Sequence, residues 1–474
     1  MPKQTIEGES TTATVMTDQY DENCGEQIQQ IADHEAFENP IAIMPDCHYG
    51  SGAVIGFTMP IGERVVPNCV GVDIGCGMTA LNLGTPSMGL DVPFHTSEKT
   101  MEMLDENIRD AIPFGREVYD YEEQNYHIVE DFPWDECQAT FESFVEAVDW
   151  LDQSDVDEFM GYGKEYFMDV CQRVHYDQSR AINSLGTLGG GNHFVEIAQS
   201  EKNGDYWVVV HSGSRGIGLN IAQHWQDKAT QYTTARKNIE DVPDDIRPYL
   251  KENWKPDADK IRSEFEGEEI QRTFDKVSGA IQDYGPNADN RNNDLDWLEG
   301  DEALGYCIDM IFAQRYASES RKQMVFRVAD VFGLGPKGPD ERWDIIESTH
   351  NYIDFQDGMI RKGATKANEG ERLIIPFNMR DGTIVCRGKG NDDWNMSAPH
   401  GAGRRMSRTR AFSELDVDEF HDTMSDVFST SVNEETLDEA PAAYKDTAVI
   451  ESVIGETAEI EDRWTPVMNL KAEE

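Results

Sequence analysis

The spacing of apolar and polar residues divides the chain into stretches of two kinds. Short β-branched runs broken by glycines occupy residues 41–83, 184–218 and 320–411, and this pattern predicts strands joined by tight turns. Residues 98–185 and 220–300 instead place apolar residues at helical spacing among acidic ones, which predicts amphipathic helices. The tail from Asp416 mixes helix and strand signals. These patterns predict an α+β protein whose glycine-rich loops lie at strand ends.

The order of these stretches suggests one large domain with an addition at each of two places. Residues 1–40 are interpreted as an N-terminal lead-in and residues 41–474 as the domain itself. Within the domain, residues 220–300 are polar and acidic, and we interpret them as a helical insertion. The 474-residue length is long for one domain but suits a large catalytic fold that carries insertions.

Apolar runs and the N-terminus bear on where the chain resides. No run approaches the roughly 18 apolar residues that span a bilayer. The start, MPKQTIEGESTTATV, lacks the basic-then-apolar pattern of a secretory signal. We therefore expect a cytoplasmic protein that does not associate with membranes. We also expect a monomer.

The charge of the chain is extreme, with 91 acidic against 41 basic residues and a formal net charge of -50. The acids are spread along the whole chain, a pattern typical of proteins that work in concentrated salt. We therefore hypothesise a halophilic source. Disorder is the other explanation for so much charge, but Trp, Phe and Tyr recur along most of the chain.

Five residues of metal-binding type occur in the glycine-rich stretches. Asp73 and Cys76 share the turn GVDIGCG, and His193, His211 and His350 each lie in or after a strand-like segment. Any one of these histidines alone would most often be structural. A carboxylate, a thiolate and three imidazoles together suit Mn²⁺, Zn²⁺, Fe²⁺ or Co²⁺ rather than Mg²⁺ or Ca²⁺. A thiolate can also bridge two metals, so Cys76 is the exception among eight cysteines that otherwise resemble small core residues.

A fourth histidine has a different setting. The segment SAPHGAGRRMSRTR places His400 before Gly-Ala-Gly and four arginines. Glycines free backbone N–H groups for phosphate oxygens, arginines pair with phosphates, and a histidine between them could act as a nucleophile that forms a phosphoramidate. Taken alone, this segment is also explained as a basic loop that contains an incidental histidine.

Seven sequence blocks together resemble the RtcB family of RNA-splicing ligases. These blocks are MPDCHYGSGAVIG, GVDIGCG, GGGNHFVEI, VVVHSGSRG, HNYI with RKGAT, RGKGN and PHGAGRRMSR, and PAAYKD and NLKA match more weakly. The resemblance implies one large fold with mixed sheets around a deep active-site cleft. It also implies a GTP-dependent enzyme with two Mn²⁺ ions that joins RNA 3′-phosphate or 2′,3′-cyclic phosphate ends to 5′-hydroxyl ends.

The resemblance also implies roles for single residues. Cys76 would be shared by both Mn²⁺ ions, with Asp73 and His193 completing one site and His211 and His350 the other. His400 would carry GMP covalently in a His–GMP intermediate that precedes an RNA(3′)pp(5′)G intermediate, and Lys471 would contact the guanine base. The other positions of the implied nucleotide pocket are Asn192, His193, Phe194, Val195, Glu196, His350, Asn351, Pro376, Phe377, Asn378, Met379, Thr383, Gly401, Ala402 and Gly403.

The chain departs from the family pattern at two places. The family usually has Pro-Gly-Ser-Met-Gly where this chain has PFNMR, so Phe377 and Arg380 replace glycines in a loop expected beside the nucleotide. We expect each side chain either to narrow the pocket or to point away from it. The family also often has His before RKGA, where this chain has Ile360, and that position is a candidate RNA contact.

Two other functions remain open on the sequence. A di-metal phosphoesterase would use the same metal ligands without transferring a nucleotide, and an RNA-end-binding module would use none of them for catalysis. The sequence does not distinguish tRNA halves from broken RNA ends as the RNA partner. It also leaves open whether an archease-type activator is required.

Overall fold

The computed structural model describes residues 3–85, 93–120, 127–151, 153–236, 242–243, 245–251, 255–265, 267–284, 293–335 and 343–472. Helices and strands alternate along this part of the chain, and its strands form two large sheets and one small one. The α+β class predicted from the sequence is confirmed.

The strands fall into three sheets with different pairing. The first is mixed, since only its second and third strands run parallel, and its order is β1 (Gln4–Glu7), β2 (Thr12–Val15), β3 (Ile41–His48), β4 (Ile55–Pro60), β10 (Met359–Lys362) and β9 (Asn351–Asp354). The second is antiparallel, in the order β12 (Arg372–Asn378), β13 (Gly382–Gly388), β15 (Ala458–Leu470), β6 (Phe194–Ser200), β7 (Tyr206–Ser212), β5 (Gly77–Gly84) and β8 (Ile345–Thr349). The third pairs β11 (Ala364–Lys366) with β14 (Ser397–Pro399).

Helices occupy most of the stretches predicted to be helical. Side chains at the N-termini define several of their starts; Asp177, for example, accepts a hydrogen bond from the Arg180 amide. The helices are α1 (Glu22–Asp33), α2 (Glu98–Ala111), α3 (His127–Asp131), α4 (Trp134–Ala147), α5 (Gln153–Glu158), α6 (Lys164–Arg173), α7 (Gln178–Ser184), α8 (Arg215–Arg236), α9 (Ala258–Glu264), α10 (Glu268–Tyr284), α11 (Gly300–Val331), α12 (Arg408–Glu414), α13 (Val417–Thr423) and α14 (Thr447–Ile454). Within the described residues, no helix is long and apolar enough to cross a membrane.

The longest helix corrects one sequence prediction. Residues 320–331, predicted to be strand and glycine loop, are the last part of the 32-residue helix α11. In residues 320–331 the buried positions recur at helical spacing on one face: Ser320, Arg321, Met324, Val325, Val328 and Ala329. The prediction was wrong because Ser320 and Arg321 on the buried face are polar and Phe326 on the other face is apolar, which hides the helical spacing in the sequence.

The second sheet carries a core cluster on one face and polar site residues at one end of the other face. Val195, Ile197, Met468 and Leu470 point to one face and pack with α2 and α11 in a core cluster. Since side chains alternate along a strand, their neighbours in β6 and β15 point to the opposite face. Glu196 and His211, two of the predicted site residues, lie on that opposite face, whose apolar residues form a separate cluster that includes Ala198, Trp207 and Val209.

The structure describes parts of both the lead-in and the insertion. In residues 1–40, β1 and β2 join the same sheet as β3, and α1 packs beside them. Residues 220–300 include α9 and α10, whose buried residues Ile261 and Val277 share a small cluster of their own. Parts of this insertion lie outside the described residues. The domain boundaries therefore stay predictions.

Candidate metal and nucleotide site

The antiparallel sheet gathers the five predicted metal ligands. Asp73 and Cys76 lie in the turn before β5, and His211 lies near the end of β7, beside Met78 in the neighbouring strand. His350 connects β8 to β9. Strand β8 pairs with the edge of β5 that does not contact β7. His193 directly precedes β6, which pairs with β7. Because β6, β7, β5 and β8 are neighbours, these residues meet at one end of the sheet.

The ligand atoms form two groups that share one thiol. Cys76, His211 and His350 form the first, and Asp73, Cys76 and His193 the second, with all ligand atoms in a group within 4.8 Å of one another. The Cys76 Sγ lies 3.2 Å from the His211 Nε2 and 3.6 Å from the His193 Nε2. The donor set suits transition-metal ions, and Cys76 belongs to both groups.

Backbone carbonyls fix the orientation of two imidazoles. The His193 Nδ1 lies 3.0 Å from the Leu188 carbonyl oxygen, and the His211 Nδ1 lies 3.1 Å from that of Asn192. A carbonyl only accepts, so each Nδ1 carries a hydrogen. The His211 Nε2 then keeps a lone pair, whereas the His193 Nε2 lies 3.0 Å from the Asp73 carboxylate. Burial, reinforced by the charge of nearby His193, holds the pKa of His211 well below its usual range. His211 is therefore neutral, the form that binds metals.

The carboxylate ligand, Asp73, and the thiol ligand, Cys76, differ in charge. Burial raises the pKa of Asp73, but hydrogen bonds from His193 and Cys76 and the neighbouring imidazoles outweigh it, and the pKa falls to about 2. Asp73 is thus ionised near neutral pH. Burial and the Asp73 carboxylate together raise the pKa of the Cys76 thiol well above its usual range. A cation at this position would reverse that effect, because coordination favours the thiolate.

His400 lies beside this cluster and is held by a buried carboxylate. The Asp46 side chain, 0% exposed, accepts from the His400 Nδ1 at 2.7 Å and from the His400 backbone N–H at 3.2 Å. The proton therefore sits on Nδ1, and Nε2 carries the free lone pair. The His400 ring centroid is 4.9 Å from that of His350. Gly403, at φ 75°, brings the backbone against Asp46, where a Cβ would lie 2.4 Å from the Asp46 carbonyl oxygen.

A cavity of about 260 Å³ connects the metal ligands, His400 and the polar face of β6 and β15. It is lined by four of the metal ligands and by most of the predicted nucleotide positions. Those predicted positions are Asn192, Phe194, Glu196, His350, Asn351, Pro376, Phe377, Asn378, Met379, His400, Gly401, Ala402, Gly403 and Lys471.

A second buried carboxylate organises the far end of this cavity. The Glu439 Oε2 pairs with the Lys471 Nζ at 3.0 Å and accepts from the Tyr444 hydroxyl at 2.7 Å, while its Oε1 accepts from Arg404 at 3.2 Å. Burial opposes the charge of Glu439, but Lys471 and Arg408 outweigh it and lower the pKa to about 2. Glu439 therefore stays ionised and holds the Lys471 ammonium in place.

Comparison with known proteins supplies the family. A model of the family described as "tRNA-splicing ligase RtcB" matches residues 27–472. The chain is 30% identical over 437 residues to RNA-splicing ligase RtcB1 of Escherichia coli strain ATCC 25922, covering 89% of this chain and 87% of that protein. It is 23% identical over 485 residues to tRNA-splicing ligase RtcB of Aeropyrum pernix, covering 89% of this chain and 85% of that protein.

The chain belongs to the RtcB family. The resemblance of the seven blocks is thereby confirmed, and the family identifies the chain as an RNA-splicing ligase.

Three predicted pocket positions of this RtcB-family chain are not among the residues that line the cavity. His193 belongs to the metal group instead. Val195 faces the core with the other apolar residues of β6. Thr383 is buried in β13, and its hydroxyl has no hydrogen-bond partner among the described residues. A contact between the Val195 side chain and a nucleotide would require it to leave the core cluster.

The departures from the family pattern have structural outcomes. Phe377 is buried in a cluster with Leu373 and Ala402 and also lines the cavity, so it narrows the pocket. Arg380 points to solvent and pairs with Asp381, its Nε 2.8 Å from the carboxylate. Ile360 is 1% exposed in the core, so its side chain does not contact RNA.

The structure adds polar residues that the sequence analysis did not assign to the site. Asp46 lies within the block MPDCH, and Tyr444 and Asn469 lie within the weaker matches PAAYKD and NLKA, so their motifs pointed to the site. Glu439 carried no such signal, because it lines the cavity through long-range packing.

Proposed function

We propose that this chain is a GTP- and Mn²⁺-dependent RNA ligase that joins RNA 3′-phosphate or 2′,3′-cyclic phosphate ends to 5′-hydroxyl ends. The observation that carries this proposal is the free Nε2 of His400. It faces a metal-binding cluster across one cavity, with its Nδ1 proton held by buried Asp46. The relatives named RNA-splicing and tRNA-splicing ligases support the same reading.

The metal ions would be held by residues that already converge. Asp73, Cys76 and His193 would hold one Mn²⁺, and Cys76, His211 and His350 the other. When bound, the two ions would neutralise the negative charge that builds on phosphate oxygens.

His400 would supply the nucleophile of the first step. Its Nε2 attacks the α-phosphorus of GTP, a P–N bond forms, and pyrophosphate leaves as the bond to the β-phosphate oxygen breaks. Asp46 keeps the proton on Nδ1 and stabilises the positive charge that the ring gains. Arg404 and Arg408 also line the cavity, where both pair with Glu439.

Two further steps would complete the ligation. An oxygen of the RNA 3′-phosphate attacks the phosphorus of His400-bound GMP, the P–N bond breaks, and RNA(3′)pp(5′)G forms. The 5′-hydroxyl of the second RNA end then attacks the 3′-phosphorus, and GMP leaves as the phosphodiester bond forms. A 2′,3′-cyclic phosphate would first be opened by water to the 3′-phosphate.

Labelling with α-³²P-GTP and Mn²⁺ tests the first step. We expect an acid-labile, base-stable label on the wild type, none on His400→Ala, and normal labelling of His421→Ala, whose histidine is exposed in α13. His400→Ala should still bind Mn²⁺ and should join RNA supplied already activated as RNA(3′)pp(5′)G, because that step does not need the nucleophile.

The same experiment separates the competing functions. A di-metal phosphoesterase would release phosphate without labelling His400, and an RNA-end-binding module would retain RNA binding after Cys76→Ala. Absence of label on the wild type at saturating Mn²⁺ would contradict the proposal. Repeating the ligation with purified chain alone tests whether an archease-type activator is needed, since single rather than multiple turnover would indicate that it is. Comparing tRNA halves with other broken RNA ends tests which substrate is preferred.

A further inference from the structure

Two buried oxygen atoms beside the cavity have no hydrogen-bond partner among the described residues. They are the Glu196 Oε1 and the Asn469 Oδ1. Both residues line the cavity, and they are only 2% and 1% exposed. Buried polar atoms are almost always paired in folded proteins, so an unpaired acceptor at a cavity wall requires a donor from a ligand or from water.

The strand register explains why these two oxygens lie together. Asn469 of β15 lies directly opposite Glu196 of β6, so both side chains point to the polar face of the sheet. The Asn469 Nδ2 donates to the Glu196 Oε2 at 2.8 Å. Because a carboxylate only accepts, the amide must turn its NH₂ group toward Glu196, which leaves Oδ1 as a free acceptor.

A hydrogen-bond donor stands next to this pair. Lys471 lies two residues after Asn469, and its Nζ reaches the Asn192 carbonyl oxygen at 3.2 Å and Glu439 at 3.0 Å. This part of the cavity therefore presents one donor and two acceptors. Guanine presents the complement, since its O6 accepts while its N1–H and 2-amino group donate. Adenine has a donor in place of O6 and lacks the 2-amino group, so it does not match.

We propose that Asn469 is a specificity-determining residue that accepts a hydrogen bond from the 2-amino group of guanine, beside Glu196, which accepts from N1–H. This inference rests on the proposed function, because it assigns the base of the nucleotide that His400 would take up. It adds to that function a residue that separates guanosine from inosine nucleotides, which differ only by the 2-amino group.

Direct binding of GTP and ITP tests the assignment. The protein carries His400→Ala, so that no transfer follows binding, and it is compared with and without Asn469→Leu. We expect GTP affinity to fall about tenfold more than ITP affinity in the Leu variant, because only GTP loses a hydrogen bond to Oδ1, whereas loss of the Asn469 donor to Glu196 affects both nucleotides. Gln199→Leu is the matched control. Gln199 lies three residues after Glu196 in β6, but its side chain donates to the Gly204 carbonyl oxygen, so the substitution should change neither nucleotide affinity.

The outcomes separate this inference from its alternatives. If water fills the space beside the two oxygens, Asn469→Leu will change GTP and ITP affinity alike or change neither, and either result overturns the assignment. If the Leu variant does not fold, Asn469→Ala removes the same oxygen with less added bulk. A wild type that binds GTP more tightly than ITP but never labels His400 would overturn the proposed function while leaving the base assignment supported.

Discussion

Glu196 is the residue whose charge should control base recognition. Burial raises the pKa of its carboxyl to about 7, although the hydrogen bond from Asn469 and the charge of Lys471 oppose that rise. The ionised form accepts hydrogen bonds and the protonated form loses an acceptor, so guanosine affinity should increase as the pH rises through about 7. Equilibrium binding of guanosine, from about one unit below that pKa to about one unit above it, measures the effect.

Glu196→Gln supplies the control for this prediction. Glutamine has nearly the same shape but does not titrate, so its guanosine affinity should be flat across the same range. Guanosine carries no phosphate, which removes the titration of the ligand's own phosphate groups from the comparison. An equal rise in wild type and variant would mean that another group controls binding.

Residue types in glycine-rich blocks were enough to predict which candidate metal ligands the structure brings together, but not the residues that they contact. Cys76 and His211 were predictable because few residue types bind metals and each sat in a distinctive motif. Asn469 was not, because its role depends on lying opposite Glu196, 273 positions away in the chain. Pairing over such distances is set by the sheet, and the spacing of residues along the sequence does not record it.

At the scale of elements, one side chain of α11 links three of the ligand-bearing loops. Arg321, 0% exposed, donates to the Gly75 carbonyl oxygen at 2.6 Å and to that of Ser212 at 3.0 Å. Its other terminal nitrogen pairs with Glu347 at 2.7 Å and lies 3.4 Å from the Thr349 hydroxyl. Gly75, Ser212 and Thr349 are the immediate neighbours of Cys76, His211 and His350.

Arg321→Met should therefore weaken metal binding without removing a ligand. Groups that orient metal ligands typically contribute 10- to 100-fold to affinity, and a loss of about that size is expected in Mn²⁺ binding measured at equilibrium. Arg173→Met is the control, because Arg173 pairs with buried Asp309 of the same helix but lies in α6, away from those loops. An equal loss in both variants would show a general loosening of α11 rather than a role in orienting the ligands.

The same helix marks the limit of element prediction. Amphipathic helices such as α2 were predictable because one face is acidic and the other apolar. At the end of α11, Ser320 and Arg321 are buried and Phe326 is exposed, so residue type does not mark the buried face and the sequence did not distinguish this end from a strand. The strands around the metal ligands were predictable from glycine and β-branched residues, but the order in which they pair was not.

At the scale of the whole molecule, the formal net charge of -50 should make stability depend on salt. Repulsion among many like charges destabilises a compact chain, and salt screens that repulsion. We expect the midpoint of denaturation by urea to rise as KCl approaches molar concentration. Urea is uncharged and does not itself add salt. Sucrose at matched osmolarity is the control for effects that do not depend on charge, and a midpoint indifferent to KCl would contradict both this prediction and the halophilic hypothesis.

The alternation along β6 also limits how this protein can change over evolution. His193 precedes the strand at the metal end, and Glu196 lies three positions later at the proposed base end, with Val195 in the core between them. A single inserted or deleted codon between His193 and Glu196 would exchange the faces of the strand, placing a carboxylate in the core and valine in the cavity. Related proteins can therefore differ in this segment by substitutions, whereas a change in its length disrupts the site. Changes in length should instead accumulate in surface turns such as Lys202–Asp205, where no face is exchanged.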